Sequence, residues 1–176
     1  MLSLKNPSFP EIHINNHFEP GDIGAIIELH GRLYHANFGF GLGFEQYVAH
    51  TFAEFVCHFQ EGKDQIWIAK ANGHIKGCIA LIDRGNKTAQ LRYFITTADY
   101  RGRGLGKLLF DFFMQHIRAH LYQKVYLWTT ENLKAAAHLY VQEGFYLAEQ
   151  RESDTFGIPL IEQKYHWELP EPDNTK

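Results

Sequence analysis

The chain has 176 residues, 45% of them hydrophobic and 21% charged, with a formal net charge of −3. That is enough chain for one domain with a full core and too little for two. The slight acidity excludes the broad basic excess that nucleic-acid backbones require, and two cysteines outside any CxxC spacing, Cys57 and Cys78, give neither a disulfide scaffold nor a zinc site.

The first residues, MLSLKNPSFPEIHIN, contain no apolar h-region, and no run reaches the length of a membrane span. A cytoplasmic protein with no membrane or nucleic-acid partner is expected. Residues 12–18 can form a first strand. Pro20, Gly21 and Asp22 then mark a turn and a helix start, with Asp22 as the expected N-cap. Ile23, Ile26, Ile27, His30 and Tyr34 follow at helical spacing. The glycines of NFGFGLGF, over 37–44, predict a mobile loop. Val48, Phe52, Phe55, Val56 and Phe59 then share one side of a second helix.

The middle of the chain reads as β. QIWIAKA and HIKGCIALI flank Asn72-Gly73, a strong hairpin signal between apolar runs. A turn over 83–87 leads to TAQLRYFITT, so three strands form an antiparallel meander. A long helix follows over 105–120, with Leu105, Leu108, Leu109, Phe112 and His116 expected on one face. His116 and His120 stand i, i+4, but neither an acidic residue nor a further His completes a metal signature such as HExxH. The pair reads as solvated or rim-lying, and no metal is expected. KVYLWTT is a strand, LKAAAHLYVQEGF a helix ended by Gly144 at C′, and two strands close the chain near 145–152 and 160–168.

The order β α α β β β α β α β β predicts one mixed α/β (α+β) domain over residues 11–169, with about seven strands and about four helices. An antiparallel meander leads into a parallel crossover. Residues 170–176 read as a flexible tail, and the late strands offer an edge for pairing in a homodimer.

The stretch YFITTADYRGRGLGKLLFDFFMQH places three glycines between a strand and a helix. It is not a P-loop: Arg101 stands where the first Gly of GxxxxGK[ST] belongs, and Leu108 where Ser or Thr belongs. It is not a dinucleotide fingerprint either, because Lys107 takes the third glycine's place. What remains is Arg101-x-x-Gly104-x-Gly106. Glycines let successive N–H groups point one way, and the positive end of the next helix adds to them. With Arg101, Arg103 and Lys107 around it, the turn suits a pyrophosphate. The plainer reading is a connecting turn, for which three glycines and three basic residues are more than is needed.

This stretch resembles motif A of the GNAT acyltransferases (GCN5-related N-acetyltransferases), [Q/R]-x-x-G-x-[G/A]. NLKAAAHLYVQEGF resembles the family's later helix, which commonly ends LY-x-x-x-GF, as Leu139-Tyr140 and Gly144-Phe145 do here. A finer resemblance, through GDIGAIIELHGRLYHANFGF, Phe44-Glu45, LWTT, Phe156-Gly157, Leu160 and Gln163, is to the acetyltransferase half of bacterial MarR–GNAT fusion proteins. The winged-helix half would have to precede residue 11, so the free-standing catalytic part is expected.

The resemblance implies an N-acetyltransferase that uses acetyl-CoA and no metal. The pantetheine arm would lie along Phe94, Ile95 and Thr96. The pyrophosphate would sit on the amides of Gly102, Arg103, Gly104, Leu105, Gly106 and Lys107. Tyr140 matches the family's usual proton donor to the departing thiolate, or else is a core aromatic. Asn132 either contacts the cofactor or caps the helix. No acid lies along AQLRYFITT to serve as base, which leaves Glu28, His30 or a water chain, although Glu28 and His30 read first as ordinary helix residues. Arg92 either attracts a substrate carboxylate or is a solvated strand residue. The acceptor is a small-molecule or peptide amine. A non-catalytic acyl-CoA sensor stays open beside the enzyme, and a nucleotide-binding module is disfavoured by the two failed patterns.

Overall fold

The computed structural model describes residues 12–169. The expected domain start at residue 11 and the tail over 170–176 lie outside the described residues. Seven strands are β1 (His13–Asn15), β2 (Gln65–Ala71), β3 (His74–Asp83), β4 (Thr88–Thr96), β5 (Lys124–Thr130), β6 (Tyr146–Ser153) and β7 (Leu160–Glu168). Four helices are α1 (Asp22–Phe38), α2 (Leu42–Cys57), α3 (Leu105–Ala119) and α4 (Lys134–Gln142). The strands form one mixed sheet in the order β1-β2-β3-β4-β5-β7-β6. Element order and sheet type are as the sequence predicts.

The β2–β3 hairpin turns on Asn72 (φ 50°) and Gly73 (φ 77°), the two positive φ values that a type I′ turn requires. Alternate residues of each strand feed two cores. Trp67, Ala69, Ile79 and Leu81 pack with α3 on one face. Ile66, Ile68, Cys78 and Ala80 face Ile26 of α1 and Phe52 and Phe55 of α2 on the other. The chain crosses through α3 to lay β5 parallel to β4. Among the described residues no helix is long and apolar enough to cross a membrane.

Three local expectations need correction. Gly21, not Asp22, is the N-cap of α1. Asp22 is the first helical residue, and its buried carboxylate accepts from the Glu19 N–H at 2.9 Å and pairs with Lys70 of β2 at 2.7 Å. A tertiary ion pair thus takes the side chain that local capping would have used. The predicted loop over 37–44 shrinks to Gly39, Phe40 and Gly41, because α1 runs through Phe38 and α2 starts at Leu42. Phe40 and Phe44 are buried in a third small core, which holds this turn in place. On α3 the buried face is Leu105, Leu109, Phe110, Phe113, Met114 and Ile117. Leu108 and Phe112 only flank it, since this helix is apolar over more than half its circumference and the sheet selects the stripe.

Candidate active site

The site starts from a split in the sheet. Parallel β4 and β5 pair only at Thr88↔Lys124, Ala89↔Val125 and Gln90↔Tyr126, and then separate. From residue 91 onward the β5-facing main chain of β4 has no strand beside it, so its N–H and C=O groups need another partner. β3 shapes the same stretch from the other side. Its register slips between Cys78 and Ala80, which oppose Ile95 and Arg92, and Tyr93 in the bulge has φ 54°. A non-glycine residue in that region is strained. The Cys78 thiol donates to the Tyr93 carbonyl at 3.2 Å. A Cβ on Gly77 would stand 2.7 Å from the Ile95 carbonyl oxygen, so only glycine allows this approach.

At the C-terminal end of β4 the chain makes a 3-10 turn over Ala98–Tyr100 and enters the glycine stretch. Gly102 (φ 70°) and Gly104 (φ 97°) take left-handed conformations. Gly104 is the N-cap of α3, and no side chain caps it. The N–H groups of Leu105, Gly106 and Lys107 fall in the first turn, beyond the reach of any carbonyl of the helix. Leu108 is the first to bond back, to Gly104. This is a positive, donor-rich helix end at the mouth of the split. Arg101, Gly102, Arg103 and Gly104 are exposed around it, and the Arg103 guanidinium lies 4.7 Å over the Tyr100 ring. The Lys107 ammonium is held by Asp111 at 2.8 Å on the exposed side, so its contribution here is its amide.

A cavity of about 330 Å3 fills the split. β4 supplies Gln90 through Phe94, β5 supplies Trp128, Thr129 and Thr130, α4 supplies Leu133, Ala136 and Tyr140, and α1 supplies His30 and Tyr34. The hydroxyls of Thr129 and Thr130 are buried with no hydrogen-bond partner among the described residues. Split main chain, orphaned hydroxyls and an uncapped helix end fit an extended, polar, anion-tipped guest such as acetyl-CoA.

Tyr140 is 4% exposed, with its ring packed at 5.7 Å on Phe110 and 6.0 Å on Tyr165. Burial pushes its hydroxyl well above the ordinary phenol range, with the neighbouring Tyr34 and Tyr165 adding to the effect, so it is protonated at neutral pH. Burial also pushes Tyr34 up to about 12. His30 is lowered to about 4, chiefly by burial; its bond to Ile26 opposes this and Arg92 adds to it. Its Nδ1 lies 2.8 Å from the Ile26 carbonyl oxygen. A carbonyl only accepts, so Nδ1 carries the proton and Nε2 is the bare nitrogen. Arg92 donates to the Tyr47 hydroxyl and the Thr51 Oγ1, each at 3.0 Å.

The structure thus brings Tyr140, His30, Arg92 and Phe94 into one cavity, with Ile95 and Thr96 continuing along β4. Two expected residues are elsewhere. Glu28 is on the solvent side of α1, paired with Arg32 at 2.8 Å. Asn132 is exposed, and the N-cap of α4 is Leu133, without a side-chain cap; the alternative that Asn132 caps this helix is therefore incorrect. Sequence reasoning gave no role to Cys78, Gly77, Thr129, Thr130 or Glu162. Their importance comes from partners across the sheet, for which a linear pattern carries no signal.

An α/β domain with a split parallel pair and a glycine-rich turn before an uncapped helix has the architecture of an acetyltransferase fold. The sequence profile of the Acetyltransferase (GNAT) family matches residues 26–145, and the chain belongs to that family. N-acetyltransferase 8F1 of Rattus norvegicus is 27% identical over 138 residues, which is 71% of this chain and 62% of that protein; the chain therefore spans well under the full length of this curated relative. A Streptococcus agalactiae acetyltransferase superposes with TM-score 0.73 at 26% identity, covering 92% of this chain and all of that one. A GNAT-family acetyltransferase of Staphylococcus aureus does so with TM-score 0.73 at 20% identity, covering 90% and 99%. The ribosomal-protein-S18-alanine N-acetyltransferase of Escherichia coli gives TM-score 0.70 at 18% identity, covering 94% and 98%.

Proposed function

We propose that the protein is an acetyl-CoA-dependent N-acetyltransferase acting on a primary amine. The observation that carries this reading is the occurrence of three features around one split: free main chain on β4, the uncapped end of α3 that follows it, and Tyr140 in the lining of the cavity. Acetyl-CoA, when bound, supplies an activated acetyl group: the amine nitrogen forms the new C–N bond, the C–S bond breaks with its electron pair on sulfur, and the nitrogen's proton ends on that sulfur.

The chain's own groups have distinct tasks. The amides of Gly102 to Lys107 would hold the pyrophosphate, and the main chain of Phe94, Ile95 and Thr96 the pantetheine arm. Tyr140, neutral in its buried setting, donates from its hydroxyl towards the leaving sulfur as general acid. Among the described residues His30 is the one histidine in the cavity lining, and its unprotonated Nε2 would take a hydrogen bond from the attacking amine. The finer likeness to the acetyltransferase half of MarR–GNAT fusions is part of this proposal.

One observation favours the second reading, a non-catalytic acyl-CoA sensor. Among the described residues the one carboxylate in the cavity lining, Glu162, is tied to Arg151 and is not available as a base. Calorimetric titration of acetyl-CoA, followed by measurement of CoA release with a panel of primary amines, separates the two readings. Gly106→Glu is the control. Its Cβ meets Phe94 at an ordinary 3.6 Å without a positive φ, and the added carboxylate opposes an anion at the helix end. Binding that is lost in Gly106→Glu, together with turnover, supports the enzyme; binding without turnover supports the sensor; no binding overturns both.

A further inference from the structure

The acceptor end of the cavity has its own chemistry, and it is narrower than "a primary amine". Resting on the acyl-transfer reading above, we propose that the acceptor is a small aromatic amino acid, with Arg92 taking its carboxylate and the Tyr34, Phe44, Tyr47 and Phe156 rings taking its side chain.

Closure of the cavity sets the size. The α1–α2 turn belongs to the half of the molecule built on β2–β4, and the β6–β7 loop to the half beyond β5. They meet across the split. The Gly41 N–H donates to the Phe156 carbonyl at 2.8 Å, and the Phe156 ring lies 5.4 Å from Phe40, 5.0 Å from Phe44 and 5.5 Å from Tyr47. A Cβ on Gly43 would be 3.2 Å from the Thr155 carbonyl oxygen, so small residues permit this clasp. This contact narrows the cavity on that side, which suits a single amino acid better than the terminus of a folded protein.

Shape and charge set the rest. Tyr34 stacks on Phe44 at 4.4 Å, and this wall offers flat apolar surface on which a ring can lie. Two guanidinium groups reach the cavity. Arg151 is neutralised by Glu162 through two bonds, at 2.6 and 3.1 Å, and lies 4.5 Å over the Trp128 ring. Arg92 has only neutral partners, Tyr47 and Thr51; among the described residues no carboxylate lies within ion-pair distance of it. Both bonds leave from Nη2, so of the five N–H groups the one on Nε and the two on Nη1 remain for a carboxylate oxygen. The lining therefore carries one uncompensated positive charge. It repels a polyamine or an aminoglycoside, which would bring further cations, and favours an amine that carries its own anion.

The test follows CoA release by the full chain at saturating acetyl-CoA. The probes are L-phenylalanine, L-tryptophan, phenethylamine (ring without carboxylate), L-alanine (carboxylate without ring), spermidine and an alanine-initiated hexapeptide. The expected result is a kcat/KM for phenylalanine or tryptophan at least about tenfold above every other probe, because a missing partner leaves a polar or apolar surface of the site unmatched. Arg92→Met should collapse the phenylalanine-to-phenethylamine ratio towards one. The wild-type ratios decide the question even where that variant fails to fold. Preference for phenethylamine, spermidine or the hexapeptide overturns the inference while leaving the acyl-transfer reading intact. An unchanged ratio in folded Arg92→Met overturns the assignment to Arg92. Absence of calorimetric acetyl-CoA binding, or binding with no amine turned over, overturns the catalytic reading and this inference with it.

Discussion

The thiol of Cys78 on β3 donates to the carbonyl of Tyr93 on β4, and Tyr93 is the strand residue that takes φ 54°. The bond crosses the register slip that turns the β4 main chain into the split, so a buried cysteine holds the strained part of the site. Burial pushes its thiol pKa well up, which keeps the donor protonated. Cys78→Ala should cost about 1–3 kcal/mol by leaving the carbonyl unpaired and should weaken acetyl-CoA binding several-fold. Cys78→Ser keeps a donor and should retain affinity better than Ala, even where its melting temperature is no higher. Equal affinities in the two variants would show that the bond does not position the strand.

Gly77 gives a steric counterpart. Its added Cβ would meet the Ile95 carbonyl at 2.7 Å, and Leu109 Cδ1 and Thr96 Cγ2 at 3.1 Å each. The first of these is backbone and cannot swing away. Gly77→Ala should lose about 1–3 kcal/mol from overpacking, read as a lower urea midpoint. A midpoint equal to wild type would mean that β3 and β4 can separate freely here.

Tyr140→Phe removes one oxygen and leaves the ring contacts with Phe110 and Tyr165 in place. The turnover number should fall by about 10²-fold or more, in the range for a lost general acid, with calorimetric acetyl-CoA affinity unchanged. A parallel loss of affinity would identify Tyr140 as a packing residue. Since its pKa is raised by burial, no break in the rate profile below about pH 10 should belong to this group.

Two histidines make stability depend on pH. His30 and His116 are each lowered from 6.5 to about 4, foremost by burial. His120, stacked on His116 at 3.8 Å, adds to the second shift. Between those values the unfolded chain binds protons that the folded chain does not, so stability rises with pH across the window. It is complete above the unfolded value of 6.5 and is lost as pH falls towards about 4. The urea midpoint should be lower at about pH 5 than at about pH 7.5, and His116→Phe should narrow the gap. A gap of the same size in that variant would assign the effect to other groups.

Local chemistry was the legible part. The Asn72-Gly73 hairpin, the strand–glycine–helix stretch and the Gly144 helix end each depend on conformations that neighbouring residues impose, and each stands where the sequence predicts. Long-range partners were not legible. The glycines near residue 40 look like a mobile loop until Phe156, more than a hundred positions away, is seen bonded to Gly41. Asp22 looks like a cap until Lys70 is opposite it. Within the site, Arg101-x-x-Gly104-x-Gly106 and Tyr140 could be read from a motif. Glu28 could not be placed without knowing which way α1 faces, and the bulge at Tyr93 has no signature in β4 itself.

The split between β4 and β5 also has a mechanical consequence. β1–β4 form one half of the sheet and β5–β7 the other, and among the described residues the two halves pair as strands at three positions near one end, with the Gly41–Phe156 bond as a further tie outside the sheet. A sheet normally keeps its unpaired borders at its flanks; here one runs up the middle. Any guest that satisfies this inner border would therefore also act as a tie between the halves, on the far side of the split from Thr88–Gln90.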